Sequence, residues 1–439
     1  MVEARPSFWL ETVEIELEQQ LEGQVKCDFA IIGGGFTGVA TAYFLKVFEP
    51  SCEVVLLEKE YIGFGASGRN AGFAMTLFGL TLELTALRFG KKNAYNAYKY
   101  MYDAVSLVKE LVEKHSIDCD FEYNGFIRIA TTKLYERRLK HEFEFAKKLG
   151  IEDAQWLEKN EIQSRINSPI ARCGWYEKHC AILNPAKLII GMKKVIKNLG
   201  VKIYEKTPIK EVNKISGKFE IKTEKGKVIS EKILFATNAF SHLIPQIKRK
   251  QVPAFTHIVL TERLSENKMS EIGWKTREGL EDSRNLIHYF RLTKDNRLLM
   301  GGSDVSIAFG KNMNYDMNSK TFSNLEKFIG EIFPPLKGVK IERKWGGPVS
   351  ITVDLAPALG YVGDKNALYS LGCIGHGVSL THLNGLTLAE LFLEKKTERT
   401  SMFFVNRYTI PWPPEPIRFI VSHIIKGAMK LQDRIYQFF

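Results

Sequence analysis

A short apolar run, a glycine turn and a helical pattern in immediate succession predict an α/β fold, and a hairpin pattern far downstream predicts a second, antiparallel sheet. The run is 27–32 (CDFAII). It ends abruptly at Gly33-Gly34-Gly35-Phe36-Thr37-Gly38 and passes into Val39-Ala40-Thr41-Ala42-Tyr43-Phe44-Leu45. A second apolar run, Val54-Val55-Leu56-Leu57, ends at Glu58, twenty residues after Gly38. The hairpin joins 287–292 to 297–302 across Lys294-Asp295-Asn296. The 439 residues, at about 150 per domain, leave room for two or three cores.

Strand, tight turn and helix in this order fit the dinucleotide fingerprint. Gly33 makes the turn, Gly35 lets a pyrophosphate approach the backbone, and Gly38 with Ala42 lets helix and strand pack closely. The helix N-terminus at Phe36 and Thr37 then faces the anion. Glu58, beside Lys59, stands where the second strand delivers a carboxylate to ribose hydroxyls. A glycine turn of an ordinary α/β unit is the plain alternative, and the spaced carboxylate argues against it. The next segment, 63–72 (GFGASGRNAG), is too flexible for regular structure and too long for a simple turn. Gly65 and Ala66 leave backbone bare, while Ser67, Arg69 and Asn70 offer a hydroxyl, a cation and an amide to phosphates or ring carbonyls.

Residues 92–116 and 132–150 have helical periodicity, and 121–131 between them reads as a strand; together they open the second domain. A helix after Asn184-Pro185 and short strands at 201–204 and 209–212 return the chain to the first. The strand 233–236 leads to Thr237-Asn238. Along the hairpin, Tyr289 and Arg291 share one face. That face suits a pocket in which Arg291 meets a carboxylate and Tyr289 closes the opening; an exposed cross-strand decoration is the alternative. His376 stands apart from the other histidines because Gly375 and Gly377 free the backbone to approach a flat ring, and a helix begins at about Val378. Its plain alternative is a capping role in the turn.

Charge and cysteine usage narrow the classes. The net charge is +12, spread over the chain without a basic, aromatic-interleaved element, so nucleic acid is not an expected partner. The six cysteines form no C-x-x-C pair and no zinc spacing; no metal site is expected and a reduced, cytoplasmic setting fits. Acids interrupt the N-terminal segment, and no run of about 18 apolar residues occurs, against a signal peptide or a spanning helix. The C-terminal stretch 417–439 is amphipathic. It would lie on an anionic membrane near a quinone pool or, as the sequence favours, pack across the first domain.

The GGGFTG fingerprint, Glu58 and the GASGRNAG segment resemble the FAD-binding half of the glycine/D-amino-acid oxidase superfamily, closest to its γ-glutamylputrescine-oxidoreductase-like members. The arm Arg5-Pro6-Ser7-Phe8-Trp9-Leu10, the crossover at 173–209, Trp345-Gly346-Gly347, Gly375-His376-Gly377 and the tail Pro411-Trp412-Pro413-Pro414-Glu415-Pro416 extend the resemblance along nearly the whole chain. It implies a Rossmann-like FAD domain of the glutathione-reductase type interleaved with an antiparallel-sheet substrate domain. The arm would occupy 1–25, the FAD domain 26–90, 175–245 and 345–400, the substrate domain 91–174 and 246–344, and the tail with its helix 401–439. In the family, the residue at Ile209 offers backbone to adenine, Thr237-Asn238 lie beneath the cofactor, and Gly347, Gly375, His376, Gly377 and Val378 close over the flavin. Relatives of the sarcosine-oxidase type carry a flavin-linking cysteine ahead of T-P-D; here Ile351-Thr352-Val353-Asp354 follows Gly346-Gly347, so the FAD is expected to be non-covalent. Their lysine after Gly-His-Gly is replaced by Val378-Ser379.

The implied activity is oxidation of an amine or amino acid by hydride transfer to flavin N5, with His376, Tyr289 and Arg291 around the substrate. Oxygen or a quinone would receive the electrons. Two alternatives stay open: a 2-hydroxy-acid or glycerol-phosphate-type dehydrogenase, and a flavin-bound non-catalytic or RNA-associated protein.

Overall fold

The computed structural model describes residues 6–438, the side chain of Phe438 excepted. Arg5, the first residue of the arm signature, lies outside the described residues, as does Phe439. Two large sheets organise the chain. The first runs Ala358–Tyr361, Ala367–Leu371, Gly226–Phe235, Gly23–Ile32, Val54–Leu57, Lys202–Tyr204, with Lys218–Lys222 and Glu211–Ile215 branching from Gly226–Phe235. Gly23–Ile32 is flanked in parallel by Gly226–Phe235 and Val54–Leu57, so its C-terminal end opens between neighbours. That crevice at the strand ends is where α/β sheets bind ligands.

Helices Phe36–Phe48, Pro185–Asn198 and Gly377–Phe392 pack on this sheet. Val39, Leu188 and Leu388 enter its core from one side, while Ile233 and Phe235 face a second core on the other. Helix Lys91–Lys114 also turns Ala97, Tyr100 and Met101 into this core, against Gly377–Phe392, rather than opening the second domain as the sequence implied. Its lysines had marked an exposed face but not which sheet receives the other.

The second sheet has nine strands, in the order Ser306–Ile307, Val252–Arg263, Arg297–Gly302, His288–Leu292, Gly279–Asp282, Phe126–Ala130, Cys173–Glu177, Ala154–Leu157, with Ile341–Ile351 also paired to Val252–Arg263. The hairpin forms as read, with Tyr289 opposite Gly301. The sheet is not wholly antiparallel, because Gly279–Asp282 runs parallel to Phe126–Ala130. Two expected divisions of the chain shift: Cys173–Glu177 and Ile341–Ile351 both belong to this sheet, so the breaks at 175 and 345 fall inside strands.

The helix Ile417–Phe438 does not lie across the first domain. It packs against the second, where Asp433 accepts hydrogen bonds from the Tyr135 hydroxyl (2.9 Å) and the backbone N–H groups of Asn285 (2.9 Å) and Leu286 (3.0 Å). Its inward face buries Arg418, Ser422 and Asp433 beside Phe419, Val421 and Tyr436, and Ile417, Ile420, Ile424, Leu431 and Ile435 point to solvent. Among the described residues no helix is long and apolar enough to cross a membrane.

Candidate active site

A cavity of about 860 Å³ runs from the open end of Gly23–Ile32 to the face of the second sheet. Its first end is a backbone cradle. Gly33 has φ +110°, and a Cβ there would lie 2.6 Å from the Ala236 carbonyl oxygen. A Cβ on Gly38 would lie 2.0 Å from the Gly33 carbonyl oxygen, so both positions admit only glycine. Helix Phe36–Phe48 begins here with Gly35 as N-cap and no acid in its first turn. The Phe36 N–H donates to Ser67 Oγ (2.9 Å), while the Thr37 and Gly38 N–H groups have no intrahelical acceptor. Glu58 Oε2 accepts from the Gly34 N–H (2.7 Å) and Oε1 from the Glu60 N–H (3.0 Å). Burial raises its pKa against those two bonds. Lys59 is exposed at the rim, and Ile209, Thr237 and Asn238 line the same end. This is a surface for two phosphates and a ribose, and it fits a dinucleotide cofactor.

The glycine-rich loop wraps the cavity as expected, but its side chains work inwards. Asn70 Nδ2 donates to the Ala66 and Ser67 carbonyls (3.1 Å each), and its Oδ1 accepts from the Gly72 N–H (2.8 Å). Arg69 is held by the Phe64 carbonyl (2.9 Å) and Asp316 (3.0 Å). Gly65 and Ala66 present bare backbone to the cavity, and Ser67, Arg69 and Asn70 line it beside them. The arm clamps the loop from behind: Ser7 Oγ donates to the Gly68 carbonyl (2.6 Å), and Leu10 fills the space a Cβ on Gly68 would need. From the other sheet, Trp345 Nε1 donates to the Arg69 carbonyl (2.9 Å), and Gly347 leaves room for the Arg69 side chain.

The opposite wall is one face of the second sheet. Strand pairing sets Arg128 beside Glu281 and Glu281 beside Tyr289. Leu280, Phe290, Ile127 and Ile129 alternate to the other face and enter its core. Tyr289 lies over Gly301, where a Cβ would meet its ring, and bonds Thr256; burial pushes its hydroxyl up to about 12 against that bond, so it stays protonated. His376 is the N-cap of Gly377–Phe392 without a side-chain capping bond, and its Nδ1 has no hydrogen-bond partner among the described residues. Burial first, and the Arg128 charge second, push its pKa down to about 4. The plain capping role therefore fails, and a neutral imidazole faces the cavity with Gly375, Gly377 and Val378 around it.

Arg291 corrects the sequence reading. It shares a face with Tyr289, yet Nη1 donates to the carbonyls of Leu183 (2.7 Å), Gly72 (3.2 Å) and Ala71 (3.3 Å), and its guanidinium lies 5.3 Å from the Trp9 ring centroid. Wholly buried, it ties the hairpin to the glycine-rich loop and does not line the cavity. The alternation of the strand is right, but the carbonyls that fill this spot come from distant segments.

Arg128, Glu281, Thr256 and Cys373 line the cavity and were not singled out. One signal was available for Arg128: a lone cation inside the apolar strand Phe126–Ala130 must have a buried partner or a site. Its partners are Glu142 (3.2 Å) and the Trp175 ring (3.9 Å to the centroid).

A cradle for a dinucleotide at one end, and a protonated tyrosine, a neutral histidine and a buried carboxyl at the other, define a cofactor-dependent enzyme of the two-sheet type. Comparison with known proteins agrees. The family described as FAD dependent oxidoreductase, DAO, matches residues 28–391. The probable oxidoreductase OrdL of Haemophilus influenzae is 32% identical over 387 residues, 86% of this chain and 85% of the relative. The gamma-glutamylputrescine oxidoreductase of Escherichia coli is 30% identical over 395 residues, 90% of this chain and 89% of the relative. The crystal structure of glycine oxidase from Geobacillus kaustophilus superposes with TM-score 0.72 at 22% identity, covering 88% of this chain and 99% of that one. The chain belongs to the DAO family of FAD-dependent oxidoreductases.

Proposed function

We propose that this chain oxidises the carbon–nitrogen bond of a small amine or amino acid. The observation that carries the reading is the cavity itself, continuous from the cradle at Gly33 to Glu281, Tyr289 and His376. The relative named for gamma-glutamylputrescine supports the substrate class. FAD, when bound, supplies a two-electron acceptor for the hydride on the carbon beside nitrogen. The chain's own part is positioning. Tyr289 and His376 stay uncharged at neutral pH and hold the substrate by hydrogen bonds, and burial in the cavity favours the neutral amine the reaction needs. The imine that leaves the reaction is hydrolysed by water. Incubation with a soluble quinone as acceptor and a panel of amines, amino acids and hydroxy acids tests the class: ammonia and an aldehyde or keto acid are the expected products, and a keto acid formed from a hydroxy acid without ammonia would support the dehydrogenase reading instead. The arginines of the wall are already paired with carboxylates, Arg69 with Asp316, Arg128 and Arg138 with Glu142, Arg284 with Asp282, which favours a simple amine over an amino acid or a hydroxy acid.

The cofactor in this reading is not covalently held. The Cys373 thiol at the cavity is hydrogen-bonded to Asn238 Oδ1 (3.5 Å), and burial raises its pKa, which disfavours the nucleophilic thiolate. Acid precipitation should release the yellow colour into the supernatant. The reading also places the chain in a reducing cytoplasm, at a membrane surface. The outward stripe Ile417, Ile420, Ile424, Leu431, Ile435 supports a peripheral contact, and the one acid of that helix, Asp433, is turned inwards while Arg434 is exposed, which favours anionic lipid. Such a contact would favour a membrane quinone as acceptor over oxygen. Co-flotation with phosphatidylglycerol vesicles, lost on Ile424→Glu, is the expected result.

A further inference from the structure

The second-sheet end of the cavity concentrates carboxylates, and all but one are engaged. Glu142 takes Arg128 (3.2 Å) and Arg138 (3.3 Å). Asp282 takes His288 (2.8 Å) and Arg284 (3.4 Å). Behind this wall, outside the cavity lining, Glu177 takes the Thr76 hydroxyl. Glu281 alone of these makes no hydrogen bond or ion pair among the described residues, although it is only 5% exposed and lines the cavity. Strand pairing places it between Arg128 and Tyr289 on the face turned to the cradle. The Arg128 guanidinium is drawn the other way, to Glu142 and the Trp175 ring. A buried carboxyl with no donor costs the fold free energy unless something arrives to satisfy it.

We propose that Glu281 receives the ammonium group of the substrate and takes up the proton that the amine must lose before it is oxidised. The step balances: R–CH2–NH3⁺ and the Glu281 carboxylate become R–CH2–NH2 and the Glu281 carboxylic acid, with the N–H bond broken and the O–H bond formed. No other group is consumed. This deepens, and rests on, the amine reading above. The charged and titratable groups facing Glu281 are Arg128 and, across the neighbouring elements, Tyr289, Glu177, Glu142, Asp282 and His376. Burial pushes its carboxyl up to about 8 against the pull of Arg128, with Asp282, Glu177 and Glu142 adding to the rise, so the acid form is stable at neutral pH and gives its proton to water to become the carboxylate when a cation enters. A proton shared between this carboxyl and an amine thus sits on either group at little cost, as the transfer requires. The paired arginines leave no comparable site for a substrate carboxylate at this wall.

The test uses the FAD-loaded full chain and two probes of nearly equal shape, tert-butylammonium and tert-butanol. Neither tert-butyl compound has a hydrogen on the carbon beside the heteroatom, so neither is oxidised, and binding is read from the visible spectrum of the flavin. The wild type should bind the cation more tightly than the alcohol by about tenfold or more, and Glu281→Gln should erase the preference in a folded chain with unchanged FAD content. Glu281→Asp, which keeps the charge, should restore part of it; it also serves if Glu281→Gln does not fold. Equal binding of the two probes by the wild type, or an undiminished preference in Glu281→Gln, would overturn the assignment. With an oxidisable amine, Glu281→Gln should raise KM and shift the rate of flavin reduction to higher pH, where the amine sheds its proton unaided. If no amine reduces the flavin while the wild type still prefers the cation through Glu281, the amine-oxidation reading falls and the ammonium site stands.

Discussion

At the scale of the residue, the site is governed by what burial does to charge. Glu281 and His376 face one cavity and are both pushed toward their neutral forms, one upward to about 8 and the other downward to about 4. The two have opposite linkage to pH. Glu281 holds its proton in the folded chain and sheds it when unfolded, so its contribution to stability is present below about pH 4.5 and declines as pH rises toward 8. His376 is protonated more readily when unfolded, so its contribution is present above about pH 6.5 and is lost as pH falls through 4. Replacing Glu281 by Gln should therefore flatten the fall in melting temperature between pH 5 and 8, by at most about 1.4 kcal/mol per pH unit. His376→Gln should instead blunt the loss on acidification from pH 6.5 to 4, and the reverse assignment of these two effects would contradict the burial argument. Glu58 and the turn glycines were legible in the sequence because their spacing is local. Glu281 and Arg128 were not, because they become neighbours only through the parallel pairing of strands far apart in the chain.

At the scale of the element, cofactor binding depends on how closely strand, turn and helix approach. A methyl on Gly38 would stand 2.0 Å from the Gly33 carbonyl oxygen, and helix Phe36–Phe48 would have to move off the strand. Gly38→Ala should give a folded but colourless protein, read as loss of visible absorbance with far-ultraviolet circular dichroism retained. Arg291 acts between elements. Arg291→Met takes the guanidinium donor from the buried carbonyls of Ala71 and Leu183 and leaves Gly72 with the Leu183 N–H alone; the expected cost is about 3 kcal/mol, with looser FAD. A carboxylate clamp would behave differently: Arg291→Met would raise KM for amino acids alone and leave stability unchanged. The hairpin and the sharing of a face by Tyr289 and Arg291 were readable from alternation. The partner of each side chain was not, since the segments at 71–72 and 183 that meet Arg291 are brought there by the fold of the other domain.

At the scale of the molecule, the two sheets are held together through the cavity they enclose. The arm pins Gly68, Trp345 holds the Arg69 carbonyl, and Arg291 reaches the Leu183 carbonyl, so the loop nearest the cofactor is braced from both sides. A braced loop costs little reorganisation when ligand binds, which suits a reaction that depends on positioning. The interleaving of the two domains was legible as landmarks along the chain. The true seams were less so: strands Cys173–Glu177 and Ile341–Ile351 cross the expected divisions because an apolar strand reads the same in either sheet. The C-terminal helix was amphipathic as read, but periodicity names a stripe and not the side it faces. Here polar side chains turn inwards to Asp304 and the Asn285 loop, and the stripe is left outside.

The central claim is that this cavity brings an amine to bound FAD for oxidation. The most direct measurement is anaerobic titration of the purified, FAD-loaded chain with γ-glutamylputrescine and simpler amines while the visible spectrum of the flavin is followed. Stoichiometric bleaching by an amine, with an aldehyde appearing in equal amount, is the predicted result. A flavin that stays oxidised with every amine and amino acid but is bleached by a hydroxy acid would contradict it.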